Sequence, residues 1–470
     1  MRAKRITTAP YSWVGTPLAS FLFYAKREVG LMSQYRYRIY GLLFLVALVN
    51  YIDRGALSFA ASAIAQHYDL SKVALGALLG YFGIGYLLGS LCGGFLADRY
   101  GTRKIWLIAG ICWSCLEIMT AWAGELGISL LGGSALMGFA LCRVLFGVSE
   151  GPAYALMNKT IAYWAPDHER GAALSIGLLS TQIGAMLTAP IAVGLMLLTG
   201  HWQSMFIVLG CCSLLVMIIF AKGFHNRPTD HPRISTTEHR YILTNQKSEE
   251  VVDEKLAWWQ FFTSRTLVCN ALGYFSFLYI TFTLVTWMPK YLQDTFHYDL
   301  HALWYIAMIP WSGAAITVLC GGKISDYLLK RYRNLRLARN LFAVVSLAGA
   351  AACFLAIPSV GSAAAVIALM TLGNAFNALI NNIYWSVVID VTPKSSVGAY
   401  SGMTLAIANS SAIISPMLCG ALAEYYGYDA MFWATGSLAV FSLCAMALLQ
   451  PEKRVINRQP AVAQSVTSPQ

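Results

Sequence analysis

Charge is scarce in this sequence. Asp, Glu, Lys and Arg make up 12% of its 470 residues, about half of the roughly 25% that a water-soluble globular chain carries. So few charges cannot clothe a soluble protein of this length. With 57% hydrophobic residues and a mean hydropathy of +0.57, the apolar excess has to face lipid. Cysteine outside the hydrophobic stretches is lacking too. All eleven fall within them, which excludes a disulfide-stapled secreted scaffold. The C-x-x-C pair Cys112 and Cys115 stands alone in mid-stretch and reads as two small hydrophobes. The eight histidines lie in polar connections or at stretch edges. Neither a metal cluster, a haem-type ligand set nor an intramembrane histidine relay is expected, and no cofactor. Collagen-like and disordered classes fall to the same composition.

What the sequence does have is long apolar runs. A membrane-spanning helix needs about 20 mostly apolar residues, and twelve such stretches are present. They fall near 38–60, 75–97, 104–123, 134–156, 171–198 and 204–222, then near 266–289, 303–322, 340–357, 362–389, 397–422 and 429–449. The expected fold class is therefore an all-α membrane protein with twelve transmembrane helices. One long polar interruption splits them into two sets of six. The expected organisation is a basic N-tail (1–37), a six-helix bundle (38–222), a central loop (223–265), a second six-helix bundle (266–449) and a C-tail (450–470). Within the central loop, Glu254–Phe262 (EKLAWWQFF) reads as an interfacial helix with aromatics at headgroup level.

The formal charge of +11 invites a nucleic-acid reading, but the placement of the charges answers it. With both termini on one side, 29 of the 33 Lys and Arg fall on that side, two (Lys72 and Lys290) on the other, and two inside the spans. This is the positive-inside pattern, so both termini are expected in the cytoplasm and no nucleic-acid partner is needed. The partners expected are the lipid bilayer, protons and a small anion, with the chain acting as a monomer in a multi-pass cell membrane location, bacterial inner membrane by preference.

The two sets of six spans repeat each other. After span 2 stands GGFLADRYGTRK, carrying Gly94, Asp98, Arg99, Gly101 and Arg103; after span 8 stands Gly322-Lys323-Ile324-Ser325-Asp326, with Lys330 and Arg331 following. Both place G-x-x-small-Asp at a helix end ahead of basic residues. Parallel six-helix repeats around a central cavity are an architecture of alternating access. The first loop resembles the signature loop of the major facilitator superfamily, and the second copy sits where that fold would carry it. The resemblance covers about residues 38–450. It implies the major facilitator fold, two six-helix pseudo-repeats around a central cavity, with Asp98 able to hold the inward-closed interface through a basic partner. A solvated loop charge is the plainer reading of Asp98 and Arg103.

Ionisable groups at bilayer depth cost about 2.5–3.5 kcal/mol each on insertion scales, so those present mark function. Five lie well inside spans: Asp53, Arg54, Glu117, Arg143 and Glu150. Arg143 and Glu150 are two helical turns apart and point the same way. Asp53 and Arg54 are adjacent on span 1. These four sum to zero when both acids are ionised, which fits a structural ion network. It also fits coupling. A carboxylate substrate that takes an Arg away from its acid favours proton uptake by that acid, and by linkage the proton favours the anion. Glu117 stands on span 3, which the resemblance puts at the periphery. It is expected to be protonated or bonded to a neighbouring helix, and a second proton path through it is a minor alternative. Asp390, near the end of span 10, is explained by the interface.

The motifs NYIDRGALSFA (span 1), CRVLFGVSEGPAY (span 4), YWAPDHERG and TWMPKYL (end of span 7) resemble the anion:cation symporter branch of the superfamily, and most of all bacterial sugar-acid proton symporters of hexonates and hexuronates. The resemblance implies that Asp53 and Glu150 titrate the coupling proton and that Arg54 and Arg143 are their charge partners and bind substrate. It also implies that Tyr51, Tyr86 and Trp385 line the substrate pocket. Gln182 and Asn409 are further substrate candidates, offset from that pattern by about one place and about one turn. Interhelical hydrogen bonding is the alternative for both. The unusual Asn381–Tyr384 (NNIY) adds amides that could read hydroxyls. The function expected is import of an organic anion, a sugar acid, by proton symport. A carrier of aromatic carboxylates or dicarboxylates, a drug–proton antiporter and a transporter-like sensor are the alternatives. A membrane enzyme is not expected, because no nucleophile–base pair or metal cluster lies within the spans. Residues 1–31 are irregular and Met32 opens a compact basic lead (MSQYRYRIYGLLF), so translation from Met32 is an expectation beside a surface-binding tail.

Overall fold

The computed structural model describes residues 34–166, 169–246, 257–392 and 396–452. The expectations about Met32 and the tails lie outside the described residues. In the first half, α1 (Tyr35–Tyr68), α2 (Lys72–Tyr100), α3 (Thr102–Thr120), α4 (Ala135–Trp164), α5 (Arg170–Thr199) and α6 (Trp202–Gly223) follow one another. The second half holds α7 (Arg265–Phe296), α8 (Leu300–Tyr332), α9 (Arg336–Ser359), α10 (Ala363–Val391), α11 (Val397–Tyr425) and α12 (Tyr428–Ala447). Among the described residues, eleven of these cross a membrane by length and apolarity alone. The twelfth, α3, does so together with Ala123–Leu130, towards which it bends by 78°. Helices are the structures expected, since lipid offers backbone groups no partner. Several overrun their apolar stretches: α8 continues to Tyr332, because a helix need not stop where hydrocarbon gives way to water.

The repeat shows in the breaks as well as in the motifs. In α4 the regular helix ends at Glu150, and Gly151–Pro152 separate it from Ala153–Trp164. Proline lacks the N–H that would continue the ladder. At the related position of the second half, α10 breaks at Ile380.

Glycines set how the helices meet. α2 carries them on two faces. A Cβ on Gly85 would lie 1.9 Å from the Val144 carbonyl oxygen and one on Gly89 2.2 Å from that of Val148, so this face is seated on α4. On the other face a Cβ on Gly76 would meet the Pro416 carbonyl at 2.7 Å and one on Gly83 the Ala412 carbonyl carbon at 2.5 Å. That second face joins α2 of one half to α11 of the other.

This junction belongs to one face of the molecule only. Away from the termini, the two halves share a single apolar core, in which Leu75, Leu79 and Ala185 pack with Leu284, Trp287 and Trp311. Across the same face, the Lys72 N–H donates to Glu424 Oε2 (2.8 Å), Trp287 Nε1 donates to the Pro416 carbonyl (3.0 Å), and Ser62 bonds Gln293. Towards the termini the cores are separate, one built around Trp106, Phe146 and Trp164 and others around Tyr274, Tyr384 and Tyr400. The halves are closed together on the face opposite the termini and parted on the terminal face.

The central loop is fastened to the first half. Its helix Thr236–Thr244 presents Glu238, whose carboxylate accepts from the backbone N–H groups of Tyr35 (2.7 Å) and Arg36 (3.0 Å). It thus satisfies the orphan donors at the start of α1. The expected interfacial helix is much shorter than its sequence suggested. Glu254, Lys255 and Leu256 lie outside the described residues, and only Gln260–Thr263 is helical. Trp258, Trp259 and Phe262 are nonetheless exposed while Phe261 is buried against Tyr400, an arrangement suited to an interface.

Candidate functional site

Asp53 and Arg54 are neighbours on α1, and helical geometry turns them about 100° apart. Arg54 faces the seam between the halves. Its Nε and Nη2 both donate to Glu150 Oε2 on α4, at 3.1 and 3.0 Å, and Nη2 also reaches Asn50 Oδ1 at 3.4 Å. The guanidinium lies over the rings of Tyr51, Phe82 and Tyr86, 4.8, 4.9 and 4.6 Å from their centroids. Three aromatic faces and one carboxylate compensate a buried cation. Glu150 Oε1 and Asn50 Nδ2 are left without partners.

Asp53 faces the other way. It is fully buried and accepts from Ser213 Oγ of α6 at 2.5 Å, while its Oδ1 has no partner. Its nearest described partner is thus a hydroxyl and not an arginine.

Arg143 of α4 pairs with Glu117 of α3 at 4.0 Å. The sequence expectation left Glu117 on a peripheral helix; the structure buries it fully against α4. It stands at ion-pair distance from the neighbouring helix, but neither of its oxygens accepts a hydrogen bond among the described residues. The intramembrane set therefore comprises two ion pairs, Arg54–Glu150 and Arg143–Glu117, with Asp53 buried on Ser213, three acids and two arginines and not a neutral four.

Two narrow cavities meet at Arg54. One is bordered by Arg54, Ser58, Phe82, Arg143, Thr286 and Ala412, the other by Tyr51, Arg54, Thr188, Val285, Met288 and Trp311. Both are lined from the two halves, and Arg54 borders both while Arg143 borders the first.

The remaining candidates are spread around this seam. Tyr86 is buried under Arg54. Trp385 of α10 meets Tyr274 of α7 edge-on at 5.7 Å, and Tyr274 stacks on Tyr384 at 4.9 Å. Gln182 on α5 has an unpartnered Oε1 and Asn409, at the break in α11, an unpartnered Nδ2. Among the described residues, Gln182, Trp385 and Asn409 share no hydrogen bond or ion pair with the Arg54–Glu150 pair. Buried polar atoms are nearly always bonded. Here single side-chain atoms of Asn50, Glu150, Gln182, Asn381 and Asn409 are not, and of these Asn50 and Glu150 stand beside Arg54.

The signature loops are held within their own halves. The side chain of Asp98 lies outside what is described, Gly94 is within α2, and Arg99 is exposed. Gly101 takes φ +84°, a left-handed conformation that lets α2 turn directly into α3. Arg103 Nη2 donates to the Ala221 carbonyl (2.7 Å) and its backbone N–H to Asn226 Oδ1 (2.7 Å), fastening α3 to the end of α6. In the second copy Arg339 stands between Asp326 (3.6 Å) and Asp390 (3.0 Å) and donates to Ser325 Oγ (2.7 Å).

Sequence reasoning did not single out Phe82 and Ser213, nor the partner of Glu117. No local spacing carries these: Ser213 is far along the chain from Asp53, and only packing brings α3 and α6 to the charges.

The chain is similar in sequence to the hexuronate transporter of Bacillus subtilis (strain 168), 29% identical over 413 residues, covering 87% of this chain and 93% of that one. It is likewise 29% identical over 435 residues to the probable galactarate/D-glucarate transporter GarP of Escherichia coli (strain K12), covering 89% and 96%. Its fold matches the crystal structure of a bacterial homologue of the human lysosomal transporter Spinster in an inward-facing, occupied conformation. The TM-score is 0.72 at 16% identity, over 88% of this chain and 96% of that one. The family profile described as Major Facilitator Superfamily matches residues 43–416 and 338–469. With eleven or, counting the bent pair, twelve helices able to cross a membrane among the described residues and that match over most of its length, this chain is a multi-pass membrane protein of the Major Facilitator Superfamily.

Proposed function

We propose that this protein imports a sugar acid, a hexonate or hexuronate, by proton symport with alternating access. The observation that carries this reading is Arg54: a buried guanidinium at the seam of the halves, ringed by three aromatics and held by one oxygen of Glu150. A carboxylate entering the cavity meets Arg54 and Arg143 together, and the unpartnered Asn50 amide beside Arg54 suits a hydroxyl of a polyol. Each arginine that turns to the substrate releases an acid to take up a proton, and for Arg54 that acid is Glu150. Asp53, buried on Ser213, is the second acid of the coupling. The sugar-acid relatives support the substrate class.

The 29-to-2 distribution of Lys and Arg supports a cytoplasmic terminal face. On that orientation the structure is inward-facing, and a bacterial inner membrane is the setting proposed.

The test is uptake of labelled hexonates and hexuronates into proteoliposomes under an imposed inward proton gradient. Gradient-driven accumulation by wild type, lost in Asp53→Asn and Arg143→Ala, is the expected result. Uptake indifferent to the gradient, or surviving Asp53→Asn, overturns the coupling. No sugar-acid uptake into tight liposomes overturns the substrate class in favour of aromatic carboxylates or dicarboxylates.

A further inference from the structure

The two buried arginines are not equivalent. Arg54 is well engaged, with three hydrogen bonds from Nε and Nη2 and three rings beneath it. Arg143 is not. Its Nε and Nη2 have no hydrogen-bond partner, and its only described ion-pair partner, Glu117, stands off at 4.0 Å with both carboxylate oxygens unbonded. Both side chains are almost wholly buried, and the Arg143 guanidinium rests on Phe146 (5.0 Å) and Phe206 (5.9 Å). On its other side Arg143 borders the same cavity as Arg54. A loose, unbonded ion pair in a dry site is poorly compensated. An incoming carboxylate offers Arg143 the short charge-assisted hydrogen bonds that Glu117 does not give.

We infer that Glu117 is the resident counter-ion of Arg143, displaced from it by the substrate carboxylate, and that it is a third proton-accepting acid in the transport cycle. This rests on the symport reading above and assigns within it which arginine receives the substrate first. The balance is simple. The substrate carboxylate takes over Arg143. One proton, entering from the solution on the open face, adds to a Glu117 oxygen, and the site gains no net charge. The groups facing Glu117 are consistent with this. From α4 come Arg143, Cys142 and, two turns on, Glu150; from α1 comes Asp53; and α6 offers the Ser213 hydroxyl, already given to Asp53. Arg143 is the cation among them that Glu117 pairs with, so its loss to a substrate leaves Glu117 with no other ion-pair partner among the described residues.

The experiment uses the full chain purified in detergent and equilibrium binding of labelled glucuronate and gluconate at about pH 5.5 and about pH 8. Wild type is expected to bind more weakly at the higher pH, and Glu117→Gln to shrink that ratio by about tenfold, the effect of one titrating group displaced by a pH unit. Glu117→Asp, which keeps the carboxylate, retains the dependence. An unchanged ratio in Glu117→Gln overturns the proposal. A purely structural Glu117 would lower stability without moving the ratio, which also overturns it. Thermal midpoints of Glu117→Gln, Arg143→Ala and the double variant are measured on the same samples. If wild type binds neither sugar acid, it is the transport reading that falls, and the midpoints test the pair alone. A double variant better than Arg143→Ala supports the counter-ion assignment, and strictly additive losses overturn it.

Discussion

Both donors of Arg54, Nε and Nη2, converge on a single oxygen of Glu150, and the second oxygen, Oε1, is left unbonded in the buried seam. The usual fork-to-fork pairing uses both oxygens. Here one oxygen holds the cation and the other is free to carry a proton, so a single side chain can link charge pairing to protonation without a change of rotamer.

That asymmetry predicts the behaviour of Glu150→Gln. The amide oxygen can still accept from Arg54, but no proton can be gained or lost. Accumulation against a gradient should fall by about 10²-fold or more, in the range of lost acid–base groups, while exchange of labelled for unlabelled substrate across the membrane persists. Counterflow beside gradient-driven uptake in proteoliposomes measures both; loss of exchange as well would place Glu150 in binding alone.

Closure of the face opposite the termini depends on Gly83, where a Cβ would lie 2.5 Å from the Ala412 carbonyl carbon. Gly83→Val cannot seat α2 on α11, so the carrier should favour the state open on that face. In a background with native cysteines replaced, a cysteine at Thr286, which lines the cavity, should label with an impermeant maleimide from that face severalfold faster than without the valine. Equal rates would show that the junction yields.

Arg339 joins α9 to α8 and α10 through Asp326 and Asp390. Arg339→Ala leaves two carboxylates uncompensated and should cost about 3 kcal/mol, the scale of breaking a buried pair. Asp390→Asn should cost more than Asp326→Asn, since Asp326 is 62% exposed and screened by water. Thermal midpoints in detergent rank the three.

His231 of the central loop stacks on Tyr35 at 3.8 Å and accepts the Arg233 N–H at 3.0 Å. Burial, then the nearby His225 and Arg233, lower its imidazole from 6.5 to about 4. The folded state favours the neutral ring, so its contribution is complete above about pH 6.5 and is lost as pH falls from there towards 4, on the order of 1–3 kcal/mol in all. His231→Phe keeps the stacking and removes the titration. Its thermal midpoint should fall less than that of wild type between pH 7.5 and pH 5, and parallel curves would refute the assignment.

The sequence by itself determined the fold and where charge lies buried in it. Twelve apolar stretches admit only helices in lipid, the paired signature loops imply two halves, and charges that lipid penalises can survive only where they are compensated, so Asp53, Arg54, Arg143 and Glu150 were legible as a site. What it could not determine is which acid answers which arginine. Ion pairing across helices depends on the rotation and depth of each one, set by contacts such as those of Gly85 with Val144, which no spacing along the chain encodes. Tertiary structure alone turned Asp53 to Ser213, brought Glu117 in from an expected periphery to Arg143, and placed Phe82 under Arg54. It also chose the face on which the halves are closed, because that depends on which of two alternative sets of close-packed contacts is made, and the same residues are available to both.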